Sequence, residues 1–87
     1  MTILNWKISG NAGDTVHIKM DTPAFVRLLD PMNFEHYRRG SKYQGEGGWV
    51  DKLEIEFSIP YKGTFYAVVD LGGAAGVVKD TCDVRRL

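Results

Sequence analysis

The chain carries a single cysteine, Cys82, and can therefore build neither an internal disulfide nor a cysteine-based zinc site. It has no excess of charge: 11 Lys and Arg balance 11 Asp and Glu. That balance removes the simplest electrostatic argument for a nucleic-acid or anionic-membrane partner, and neither is expected. Basic residues gather only at Arg38, Arg39 and Lys42 and at Arg85 and Arg86, two small clusters instead of a stripe. No apolar run approaches the roughly 20 residues that span a bilayer. The opening MTILNWKISG lacks a basic leader followed by a long apolar stretch. A soluble, unexported protein of the reducing cytoplasm is the expectation. His17 and His36 have no HxxxH, HxH or HExxH companion, Asp30, Asn33 and Glu35 do not reproduce a calcium loop, and no nucleophile elbow of the G-x-S-x-G type occurs. No metal and no cofactor is expected.

What the sequence has is alternation. In KLEIEFSIP, Leu53, Ile55, Phe57 and Ile59 fall on one face and Lys52, Glu54, Glu56 and Ser58 on the other, as in a sheet with one wet side. Pro60 ends that strand and PYKG turns the chain. The same period places Leu4, Trp6 and Ile8 inward, then Val16, Ile18 and Met20 inward after the GNAGD turn, giving two antiparallel strands. Residues 24 to 29 (AFVRLL) and 64 to 71 (TFYAVVDL) are apolar on both parities, which suits central strands covered on both faces, and their β-branched and aromatic content favours strand over helix.

Residues 30 to 40, DPMNFEHYRRG, break the rhythm with a capping Asp, a Pro at the first helical position and a terminal Gly, and predict a short helix. Glu35 and Arg39 stand four apart in the favourable order. So short a helix needs tertiary support, which Phe34 and Tyr37 are expected to supply by lying over an open end of the sheet. The next stretch, GSKYQGEGGWV (40 to 50), reads as a mobile or tightly turning loop. Seven or so strands in one layer leave a face uncovered, so the expected fold is all-β: a small antiparallel β-sandwich with one short helix, forming a single domain over residues 1–87.

The ordered blocks VRLLD, NFEHYRRG, YQGEGG and SIPYKGTFYAVVDLGGAAGVV give residues 15 to 85 a resemblance to a small bacterial family, domain of unknown function 1883. In some members a similar module precedes a TIR domain, for which this chain has no room. The resemblance implies a compact β-sandwich of jelly-roll or CUB-like character and no established catalytic residue. At Phe65, Tyr66 and Ala67 the chain departs from a His-Trp-His run frequent in the family, and Asp80 stands where members tend to carry a small apolar residue.

Several residues invite a functional reading. Asp70 shares parity with Tyr66 and Val68, and an ion pair with Arg27 or a cap on the LGG bend gives it a structural role, with ligand or metal contact the alternative. Gly72 and Gly73 read as backbone hardware, since no phosphate-loop spacing or following helix accompanies them. Cys82 falls on the inward parity with Val78 and Val84, and His17 on the outward parity of its strand. The more attractive patch is Asn33, Tyr37, Arg38, Tyr43 and Trp49, bracketing the helix and the glycine-rich loop with side chains that dominate binding hot spots. The competing reading has Tyr37 and Trp49 simply closing the end of the sandwich. The expected function is a non-enzymatic binding module presenting residues 30–49 to a protein or small ligand. The alternative is a small hydrolase-like enzyme using His36 with Glu35 or Asp70 as the nearby carboxylate. Either is compatible with homo-oligomerisation through a sheet edge.

Overall fold

A computed structural model describes residues 3–70 and 80–87. Its elements are β1 (Ile3–Gly10), β2 (Thr15–Lys19), β3 (Ala24–Leu29), α1 (Pro31–Arg38), β4 (Glu46–Val50), β5 (Glu54–Ser58), β6 (Gly63–Asp70) and β7 (Thr81–Arg85). The strands form two antiparallel sheets, one of order β1-β6-β3-β4 and one of order β5-β2-β7. The fold is thus a small all-β sandwich with one short helix. Inward residues of both sheets meet in one core, with Val16, Ile18 and Phe57 from one side and Ile8, Val26, Phe65 and Val69 from the other.

Alternation decides most of this layout, because a one-residue slip in register turns every apolar side chain to water. In β5, Phe57 is buried while Glu54 and Glu56 stay outside. Leu53 departs from the predicted pattern: it precedes β5 and is 53% exposed. β1 and β2 are antiparallel to other partners and not to each other. β1 pairs with β6, whereas β2 crosses to the second sheet between β5 and β7.

The apolar content of β3 and β6 on both parities has a physical cause. These are the inner strands of the four-stranded sheet, and α1 covers part of their outer face. Phe34 of α1 packs there with Leu29 and Val68, so the helix lies on the face of the sheet and not over an open end. The stretch from 40 to 50 is also more regular than predicted, since residues 46 to 50 form edge strand β4. Gly47 makes this possible: its φ is +110°, and a Cβ there would strike the Val26 carbonyl oxygen.

Two buried polar groups lie away from α1. Asp14 accepts hydrogen bonds from the Asn11 amide (2.9 Å), the Leu87 amide (3.0 Å) and Arg86 Nη1 (2.8 Å), tying the turn after β1 to the chain end beyond β7. The two amides, then Arg86, hold its carboxyl at about 2, against an ordinary 3.8. His17 faces outward on β2 as its parity predicts, yet it is buried, because flanking side chains close over it. Arg85 Nη2 lies 3.2 Å from its Nδ1 and Glu54 Oε1 lies 3.2 Å from its Nε2. An arginine only donates, so Nδ1 is the acceptor and Nε2 carries the hydrogen given to Glu54.

Candidate functional site

The site is built on α1 and the turn that follows it. Asp30 caps the helix by accepting from the Asn33 amide at 2.7 Å, and Pro31 occupies the first helical position, where no amide hydrogen is needed. At the other end Gly40 takes φ +74° and donates to the Tyr37 carbonyl (3.2 Å), while the Ser41 amide donates to the His36 carbonyl (2.9 Å). This pair of bonds is a Schellman termination. The returning chain is held to the start of the helix where Asn33 Oδ1 accepts the Gln44 amide at 2.9 Å. Helix and loop therefore form one braced layer above the sheet.

Between that layer and strands β1 and β6 runs a groove of about 840 Å³. Phe34 stacks on Tyr66, with ring centroids 4.0 Å apart and planes within 5°. Tyr37 meets Tyr43 edge-on, at 5.1 Å and 89°. The Tyr37 hydroxyl donates to Asp70 Oδ2 at 2.8 Å, joining helix to sheet. Burial first, and then this hydrogen bond to Asp70, push the Tyr37 hydroxyl well above its ordinary pKa, so it remains a neutral donor. Arg27 places its guanidinium 5.3 Å from the Tyr43 ring centre, and Arg38 lies 6.0 Å from that of Phe34. Asn5 and Ser41 add polar side chains to the wall.

Of the residues predicted from sequence, Tyr37, Arg38, Tyr43 and Asp70 line this groove together. Arg27 reaches it through the Tyr43 ring and also donates to the Gly47 carbonyl (3.4 Å). Arg27 pairs in register with Val68 and Phe25 with Asp70, which sets Arg27 and Asp70 diagonally on neighbouring strands. Asn33 lines a separate depression of about 650 Å³ on the other side of the 40–44 loop. Trp49 is not brought to the groove. It lies on the outer face of β4, 59% exposed, packed edge-on against its register partner Phe25 with centroids 5.0 Å apart. Gly72, Gly73 and Val78 lie outside the described residues.

Asn5, Phe34, Ser41 and Tyr66 are groove residues that the sequence reading did not assign to a site. Parity marks Asn5 and Tyr66 as outward, and the missing information was which outward face the helix covers.

The hydrolase geometry is not assembled among the described residues. His36 lines the smaller depression with Asn33, Ser41 and Lys42, and no carboxylate lines it. Glu35 faces Arg38 (3.9 Å) and Arg39 (3.5 Å), and Asp70 belongs to the other groove. Cys82 packs half-buried against the core, and burial pushes its thiol up to about 11, so it stays protonated at neutral pH. Among the described residues no three His, Cys, Asp or Glu side chains converge as a metal group would, and no helix is long and apolar enough to cross a membrane.

No curated protein and no solved structure matches the chain. The family described as Domain of unknown function (DUF1883) matches residues 7–87, beginning within β1 and extending through the last residue. With nearly its whole length matched, including the helix and every lining residue of the groove except Asn5, the chain belongs to the DUF1883 family.

Proposed function

We propose that this protein is a non-enzymatic binding module whose ligand site is the groove between α1, residues 40–43 and the outer face of β1 and β6. One observation carries the reading: the Tyr37–Asp70 hydrogen bond fixes an aromatic wall beside exposed polar groups instead of packing that wall shut. Tyrosine gives large contact area at low entropy cost, arginine is likewise frequent at binding hot spots, and a largely preformed concave site is where ligands bind. The occupant is a small molecule or a segment of a partner protein. The family description names no activity, and the position of His36 gives the hydrolase alternative no support.

The same proposal includes a cytoplasmic setting, supported by the lone cysteine, and a jelly-roll or CUB-like kinship, supported by successive strands that switch repeatedly between the sheets. It also includes self-association through a sheet edge, since edge strands carry unpaired backbone groups.

Saturation-transfer NMR with a library of neutral, cationic and anionic fragments tests the site. Fragments should bind the wild type and lose their signal with Tyr43→Ala. Fragments that bind both proteins alike, or neither, contradict the proposal.

A further inference from the structure

The chemistry of the wall narrows the ligand class. Among the described residues, the charged side chains lining the groove are one cation, Arg38, and one anion, Asp70. A phosphate or carboxylate ligand calls for convergent cations, and among the described residues the wall supplies one cation and one carboxylate. An ammonium ligand would seek ring faces, yet the Tyr43 and Phe34 rings already carry the Arg27 and Arg38 guanidinium groups, which repel it. A flat heteroaromatic ligand needs open, parallel faces. The Phe34–Tyr66 stack is already closed at 4.0 Å, and Tyr37 and Tyr43 stand perpendicular. A wholly apolar ligand would strip water from Asn5, Arg38, Ser41 and Asp70 without replacing their hydrogen bonds.

What remains is a neutral molecule bearing both apolar C–H surface and many hydroxyls. We infer that the groove takes a neutral saccharide, either free or as the glycan arm of a larger molecule; this rests on the groove being a ligand site. A sugar hydroxyl donates one hydrogen bond and accepts others. The wall offers an acceptor in Asp70, a donor in Arg38, and groups that do both in Asn5 and Ser41. The edges of Tyr37 and Tyr43 supply apolar contact for the C–H groups of the sugar, which need no open parallel face, and Tyr37, already committed to Asp70, holds that carboxylate in place.

The test is an array of immobilised neutral, sialylated and amine-bearing oligosaccharides, read with the wild type and with Asn5→Ala, Ser41→Ala, Asp70→Asn and, as a control on the far sheet, Lys19→Ala. Capture should be confined to neutral oligosaccharides, and should fall about tenfold for Asn5→Ala and Asp70→Asn, the effect of losing one buried hydrogen bond. Lys19→Ala should bind as the wild type does. Asn5 is exposed on β1, so its variant remains informative even if Asp70→Asn fails to fold. Competition by the released oligosaccharide identifies a free sugar as sufficient, and its failure identifies a ligand that needs its carrier. Capture of charged glycans alone, or equal capture by wild type and Asn5→Ala, overturns the inference. A groove that binds fragments but no glycan overturns the saccharide assignment alone, whereas a groove silent to both overturns the binding site as well.

Discussion

Tyr37 and Asp70, 33 residues apart in sequence, meet through a 2.8 Å hydrogen bond that fastens α1 to the end of β6. The helix is eight residues long, too short to persist in water by itself, so its position depends on such contacts. The groove exists only while the helix is docked, which ties the candidate function to a small number of side chains.

Removing the hydroxyl isolates one of them. Tyr37→Phe keeps the ring against Tyr43 and deletes the donor to Asp70, and should cost about 1 kcal/mol. Urea denaturation should show a lower midpoint with an unchanged slope.

The larger anchor is Phe34, buried between α1 and the sheet and stacked on Tyr66. Phe34→Ala should cost about 3 kcal/mol, typical of deleting a buried aromatic ring. Amide exchange should quicken through α1 and the 40–44 loop while β2, in the opposite sheet, keeps its relative protection.

Asp14 governs acid stability. Its carboxyl sits at about 2 when folded and 3.8 ordinarily, so the unfolded chain takes up the proton first as pH falls. The stabilisation is complete above pH 4 and should disappear progressively between pH 4 and 2. Asp14→Asn should lower Tm at pH 6 and flatten the decline across that interval. Parallel thermal melts of the two proteins would show this.

Asp80 behaves in the opposite sense. Its Oδ1 accepts the Asp21 amide (3.1 Å), while its buried Oδ2 has no hydrogen-bond partner among the described residues, and burial raises its pKa. The raised value favours the protonated form in the folded chain, so stability is lost as pH rises past the ordinary carboxylate range. Asp80→Asn should keep one acceptor and raise Tm at pH 7, and a fall in Tm would contradict this.

The two-sheet architecture was legible because strands with one wet face write their register as alternation, and the helix because Asp30, Pro31 and Gly40 each have a local structural reason to stand where they do. Strand partners were not legible. Alternation says which face a residue takes but not which strand lies beside it, so β1 and β2 appeared as neighbours and belong to different sheets. Gly45, Gly47 and Gly48 read as loop because flexibility is a property of the isolated chain, whereas pairing of β4 with β3 is a property of the fold. For the site, Tyr37, Arg38 and Tyr43 were found through their chemistry and clustering. Trp49 was grouped with them by closeness in sequence, and pairing with Phe25 takes it to another part of the same sheet face. Asn5 and Tyr66 were reachable only once the covered face was known.

On the reading proposed here, ligand binding belongs to the groove under α1 and not to the exposed aromatic pair at the β4 edge. A ¹⁵N–¹H correlation map recorded during titration with a fragment or saccharide that binds tests it most directly. Saturable shifts are expected at Asn5, Tyr37, Ser41, Tyr43 and Tyr66, with Gly48, Trp49 and Val50 unmoved. Shifts centred on Phe25 and residues 48 to 50, with the groove amides still, would contradict it.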